Sequence, residues 1–126
     1  MRNLTKEEVK FSTFLELEHC RVRGNYMCTD DPEADAKAED EILERLENND
    51  FSAWCTLTVK AEWDDYEGYA YLGCCSFAPD LLGSRLEKEI ETMAEDHGMY
   101  DEALEDLNKS VKNYISDAKV LEAKLT

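Results

Sequence analysis

Seven side chains in this chain of 126 residues could do thiol or imidazole chemistry: His19, His97, Cys20, Cys28, Cys55, Cys74 and Cys75. A cysteine nucleophile needs a base beside it, and Cys74 or Cys75 with His97 is the available pairing. No local signature of such an enzyme surrounds these residues. Zinc ligands can be gathered on paper from His19, Cys20, Cys28, Cys74 and Cys75, but no CxxC or HxxxH spacing occurs. An odd number of cysteines, two of them adjacent, is a poor disulfide framework. Reduced, mostly buried thiols in the cytosol are the expectation. Asp30, Asp31 and Asp35 superficially resemble a calcium loop, yet Pro32 and the missing glycine at the sixth position argue against an EF-hand. The five glycines form no phosphate-binding array. No catalytic residue, metal or cofactor is therefore assigned, and the chain is read as a non-enzyme.

Charge is the more informative chemistry. Thirty acids face fourteen bases, a net charge of −16. The excess is concentrated. Asp30 to Asp50 holds ten acids and two bases, and Leu86 to Asp106 holds nine acids and one base. Surface helices ordinarily alternate acids with lysines four residues on, and here that compensation is missing. Direct nucleic-acid binding is disfavoured, because phosphate needs Lys and Arg. Self-repulsion of this size aids solubility and opposes compaction. An acidic surface facing a cationic partner is one reading, and plain solvation is the other.

The elements that must position these charges follow from local patterns. Thr5-Lys6-Glu7-Glu8 fits a capping box opening a short helix. Alternation then predicts a strand near Phe14 to Arg23, ended by Gly24-Asn25. Asp31-Pro32 marks a helix start, with Asp31 as cap. Ala38, Ile42 and Leu46 form its apolar stripe with Leu43 beside it; Glu33, Asp40, Glu44 and Glu47 lie opposite. Phe51 to Trp63 alternates as a strand, and Asp64 to Gly68 reads as a hairpin loop with Gly68 at positive φ. Tyr69 to Phe77 returns, with Tyr69, Tyr71 and Cys75 on the inner face and Gly73 leaving room for a large neighbour or a bulge. Trp54 is expected to be covered by a helix, with an exposed interface anchor as the alternative, and Tyr66 to be exposed at the loop tip. Ser84-Arg85-Leu86-Glu87 opens a helix with Leu86, Ile90, Met93 and Ala94 inward, closed by Gly98.

The last helix is predicted from about Tyr100 almost to the end. Leu104, Leu107, Val111, Tyr114, Ala118, Leu121 and Leu125 alternate spacings of three and four, a heptad seam through which two copies would pair. Hydrophobic runs are too short and too broken by charge for a transmembrane helix, and the N-terminus lacks a leader-like apolar core, so a cytoplasmic protein is expected. The fold class is α+β: one domain over residues 1–126, with a small antiparallel sheet of about three strands packed by about three helices.

Several segments in order carry a resemblance: Val22-Arg23-Gly24-Asn25, the run Ala36 to Leu46, Ala53-Trp54-Cys55, Glu67 to Phe77, and Tyr100 to Asn108. Together they resemble small acidic proteins of bacteriophages and prophages, whose function is uncharacterised. The resemblance implies a phage setting and supplies no catalytic residues. By analogy with phage inhibitors of restriction and CRISPR nucleases, the acids would mimic DNA toward a basic, nucleic-acid-binding host protein. The contact residues expected on that reading are Asp40, Glu44, Glu47, Asp64, Asp65, Tyr66, Glu67, Glu95, Asp96, Asp101 and Glu102. The alternative is a small structural or assembly protein that dimerises through its C-terminal helix.

Overall fold

A computed structural model of the protein describes residues 2–26 and 29–125. Three strands, β1 (Lys10–Leu17), β2 (Cys55–Trp63) and β3 (Tyr66–Cys75), form one antiparallel sheet in the order β1-β2-β3. Three helices accompany them, α1 (Pro32–Glu47), α2 (Ser84–Asp96) and the long α3 (Met99–Leu125). The α+β architecture expected from sequence is the one found. The residues group into two compact units that both draw on the strands. One comprises 1–13, 59–70 and 93–126; the other comprises 14–58 and 71–92.

In the first unit a single 3-10 turn, Lys6–Glu8, stands where the capping box predicts a helix start. Glu8 accepts the Thr5 N–H at 3.1 Å and both Arg2 guanidinium nitrogens at 2.6 and 2.7 Å. That forked pair holds the Glu8 carboxyl down at about 2. The core here is Leu4, Val59, Ala61, Ala70, Ala94, Met99, Ala103, Leu107 and Val111. Buried Asn108 fastens the N-terminal segment to α3, accepting the Leu4 N–H at 2.7 Å and donating to the Leu4 carbonyl at 3.2 Å. Such pairing satisfies backbone groups that no strand partner serves.

Gly68 is not a loop glycine. The hairpin turns on Asp64 and Asp65 alone, with Asp64 taking the left-handed conformation at φ 54°. Gly68 lies within β3, buried against α3. A Cβ there would stand 2.3 Å from Leu107 N and 2.4 Å from the Ala103 carbonyl oxygen. The absent side chain lets strand and helix backbones meet.

The shorter turn also changes which residues of β3 point inward. Gly68 and Ala70 are buried whereas Tyr71 is exposed, so the expected inner Tyr69–Tyr71 face is corrected. At Cys74 the backbone turns left-handed, φ 58°, and the alternation slips by one residue. Cys75 and Phe77 then face inward. Of the two uses expected of Gly73, room for a large neighbour goes to Glu18, and the irregular backbone falls on Cys74.

In the second unit, Asp31 caps α1 as expected, its carboxylate accepting the N–H groups of Glu33 and Ala34 at 3.2 Å. Two further boundaries are corrected. The first strand runs Lys10–Leu17 rather than Phe14–Arg23, and Phe51–Ala53 is a 3-10 turn rather than the opening of β2. That turn lets α1 cover Trp54, which is 2% exposed within a cluster of Val22, Ile42, Ala53, Leu43 and Leu46. The indole N–H donates to the Cys20 carbonyl at 2.7 Å, and Tyr26 meets the ring edge-on at 6.1 Å. Trp54 is a core residue, held on every side.

Candidate functional site: the acidic surfaces

Three groups of acids come out of the fold. The first lies on α1, where Asp40, Glu44 and Glu47 are exposed, as their helical spacing requires. Asp40 is already engaged: it accepts from the Arg23 guanidinium, which Glu39 also faces at 3.7 Å. The same helix buries two acids, Asp35 and Glu39, which stand seven and three residues before Ile42 and so share its apolar face. Asp35 accepts the Thr29 N–H at 2.9 Å and the Thr29 hydroxyl at 2.6 Å, while Glu39 accepts the Gly24 N–H at 2.7 Å. These carboxylates order the segment before α1, and part of the charge window is therefore structural. Sequence composition could not separate them from the solvated acids.

The second group surrounds the β2–β3 turn. Asp64 and Asp65 are exposed, but Glu67 is tied to Lys60 at 3.2 Å and to the Tyr69 hydroxyl at 2.5 Å. These two donors hold the Glu67 carboxyl below the usual glutamate range, the tyrosine hydroxyl contributing most. Tyr66 is half-buried rather than a free tip residue. Its ring stacks on Trp63 at 6.0 Å and meets Tyr114 edge-on at 5.5 Å. Burial raises the Tyr66 hydroxyl, with Tyr114 and the two aspartates adding to it. The turn thus offers two free carboxylates on a rigid aromatic base.

The third group is the α2–α3 corner. Gly98 closes α2 at φ 64°, and α3 begins at once at Met99. Glu95 and Asp96 before the corner, and Asp101 and Glu102 after it, are all exposed. Lys6 pairs with Asp101 at 2.6 Å, the one ion pair of this corner among the described residues. Asp101 and Glu102 also occupy the first turn of α3, where the helix dipole favours negative charge. Asp106, one turn further, accepts the Tyr69 N–H at 2.9 Å and so belongs to the packing of β3. Exposed Glu87, Glu91 and Glu95 recur every fourth residue along α2, a spacing of about 6 Å per carboxylate. Glu87, Glu91 and Glu105 were legible as exposed acids and absent from the expected contact set.

The charge of α3 is divided along its length. Residues 99–108 carry four acids and no base, whereas residues 109–125 carry four lysines against Asp117 and Glu122. The heptad seam is divided at nearly the same place. Leu107 and Val111 are buried in the chain's own core and Leu104 is half-buried, while Tyr114, Ala118, Leu121 and Leu125 are exposed.

The thiols also divide. Cys55 and Cys75 are buried, and burial pushes Cys55 up to about 12, beyond ordinary nucleophilic use. Cys20 and Cys74 are exposed, against the expectation of mostly buried thiols. Cys28 lies outside the described residues, and with it part of the His19–Cys20–Cys28 combination. Among the described residues no group of three or more His, Cys, Asp or Glu is arranged to hold a metal ion, and no helix is long and apolar enough to cross a membrane. Compared with known proteins, the chain matches no family model, no curated protein and no solved structure.

Proposed function

We propose that this protein is a non-enzymatic, phage-type accessory protein that presents a DNA-like acidic surface to a basic, nucleic-acid-binding host protein of the restriction or CRISPR kind. The observation that carries the reading is the α2–α3 corner, where four exposed carboxylates, Glu95, Asp96, Asp101 and Glu102, share one ion pair, to Lys6, among the described residues. Anions repeated at helical spacing offer a basic groove what phosphates offer it, and binding releases the counterions of both surfaces. The contact set narrows to acids without an ion pair among the described residues: Glu44, Glu47, Asp64, Asp65, Glu95, Asp96 and Glu102. Asp40, Glu67 and Asp101 already serve Arg23, Lys60 and Lys6.

Converting Glu95, Asp96 and Glu102 to their amides, together with Asp64 and Asp65, should abolish capture of basic proteins from a low-salt bacterial lysate. Proteins captured by the parent chain should be displaced by double-stranded DNA and by salt, since screening shortens from about 10 Å at 0.1 M to about 3 Å at 1 M. Melting temperature should hold or rise, because removing exposed like charges relieves repulsion. Equal capture by the neutralised chain, or capture indifferent to both DNA and salt, rejects mimicry.

A second reading rests on the exposed half of the heptad seam: self-assembly through distal α3. Pairing two copies antiparallel sets Tyr114 against Leu125 and Ala118 against Leu121 of the second copy, and brings Asp117 beside its Lys124. Parallel pairing instead brings Asp117 against Glu122, a like-charge contact. An antiparallel dimer is therefore the form this seam favours. Sedimentation should show a mass that rises with concentration. Leu121→Glu should return it to one chain with little change in melting, Leu121 being 59% exposed. Lys124→Glu should weaken the pair, and adding Asp117→Lys should restore it. A one-chain mass persisting at high concentration removes this reading.

A further inference from the structure

Glu18, just beyond β1, binds main chain from two distant parts of the sequence. Its Oε1 accepts the Cys20 N–H at 3.0 Å; its Oε2 accepts the Cys74 N–H at 2.8 Å and the Thr56 hydroxyl at 2.8 Å. Thr56 is on the central strand and Cys74 on β3, so the carboxylate reaches over β2 from one edge of the sheet to the other. Together these bonds hold the Glu18 carboxyl below the usual glutamate range, the Cys20 N–H contributing most. It therefore stays an anionic acceptor at neutral pH. Gly73 leaves room beside it: a Cβ there would stand 3.0 Å from Glu18 Oε2, a tight approach that the carboxylate would have to yield to. One carboxylate thus brackets the backbones of Cys20 and Cys74. Both residues are exposed, and the Cys20 side chain is among the groups that raise the Cys74 thiol. Two accessible thiols are thus carried on backbone segments that one carboxylate holds together, by a clamp that does not depend on them.

We propose that Cys20 and Cys74 form an oxidisable dithiol site that reacts with small disulfides of the glutathione type to close an intramolecular disulfide. The Cys20 thiolate attacks one sulfur of the small disulfide, forming a mixed disulfide and expelling one thiolate. Cys74 then loses its proton to water and attacks the Cys20 sulfur. The second small thiol leaves as the Cys20–Cys74 bond forms. Two protein thiols are oxidised and one small disulfide is reduced to two thiols. Cys74 is the resolving partner, because partial desolvation and then the neighbouring Cys20 side chain hold its thiol above the ordinary range. The product staples the segment after β1 to β3 across the central strand.

The full chain, reduced and then incubated with glutathione disulfide, tests this. Peptide mapping should find Cys20 joined to Cys74 with no glutathione retained, while Cys55 and Cys75 remain thiols. The oxidised form should melt higher than the reduced one, and a mild reductant should reverse both changes. Cys74→Ser should stop at a glutathione adduct on Cys20, and Cys20→Ser should give no protein disulfide. Neither thiol is buried, so both variants should melt close to the reduced parent. Unmodified Cys20 and Cys74 after incubation, a stable glutathione adduct on the unaltered chain, or a bond to any other cysteine each overturns the proposal.

Discussion

Gly68→Ala unfolds the first unit or drives α3 off β3. The new methyl would meet the backbone of Leu107 and Ala103, at 2.3–2.6 Å, and no rotamer change can move those atoms aside. Ordinary carbon contacts need roughly 3.5 Å or more, so helix and strand must separate by about an ångström along a tightly packed seam. Overpacking of a core costs about 1–3 kcal/mol when side chains can adjust. Here the obstructing atoms are main chain, and the upper end of that range or more is expected. A fall in melting temperature of about 12 °C or more follows for a domain of this size. Gly83→Ala is the informative control. Gly83 has open space around it and needs only its positive φ, so that change should cost about 1 kcal/mol. Similar melting for the two variants would contradict the close approach of β3 and α3.

Val59→Asp should leave the chain largely unfolded at neutral pH. Val59 lies mid-strand in β2 with 0% exposure, flanked by Leu57 and Ala61, also at 0%. An aspartate there must enter the core charged, take up a proton to become neutral, or unfold the strand. Mutational penalties for an unpaired buried charge are on the order of 4–5 kcal/mol, against a total stability of about 5–15 kcal/mol for a typical domain. Val59→Ala only removes methyl groups and should cost about 2 kcal/mol through the cavity left behind. Circular dichroism of the pair separates polarity from volume. A cooperative melt for Val59→Asp at the parent's temperature would show that this face of β2 is not core.

The features legible in the sequence were those set by local chemistry. Asp31-Pro32 starts α1 because a carboxylate cap and a missing N–H both suit a helix N-terminus, whatever surrounds them. Gly98 ends α2 for an equally local reason. The inward residues of α2 follow from spacing alone. The misread features depend on contacts made at a distance. Gly68 looked like a turn residue because glycine usually is one, and only the approach of α3 reveals its other use. Leu15 and Leu17 continue the alternation of β1 but do not show where pairing ends. Trp54 needed a 3-10 turn to reach α1, and no residue in Phe51–Ala53 announces that turn. The acidic surface was legible as a quantity and only in part as a distribution. Asp35 and Glu39 share the face of Ile42 and Leu46, so helical spacing separates them from Glu44 and Glu47, but the backbone groups they bind come from residues that only the fold brings near. The Cys20–Cys74 pair depends on the same kind of long-range meeting, because Glu18 gathers backbone from both edges of the sheet.

The strand order β1-β2-β3 puts β1 at an edge of the sheet, and that gives the −16 charge a further role. β1 reads Lys10-Phe11-Ser12-Thr13-Phe14-Leu15-Glu16-Leu17, with a run of apolar and β-favouring residues between its charged positions. Unpaired edges with such composition are templates for cross-β stacking between molecules. Lys10, Glu16 and Glu18 act as gatekeepers around this run, and the mutual repulsion of whole molecules keeps edges apart before they can align. High salt, which screens this repulsion, would remove that colloidal barrier while leaving each molecule folded. The same acids would then serve two ends, recognition of a cationic surface and protection of an incomplete sheet from its own kind.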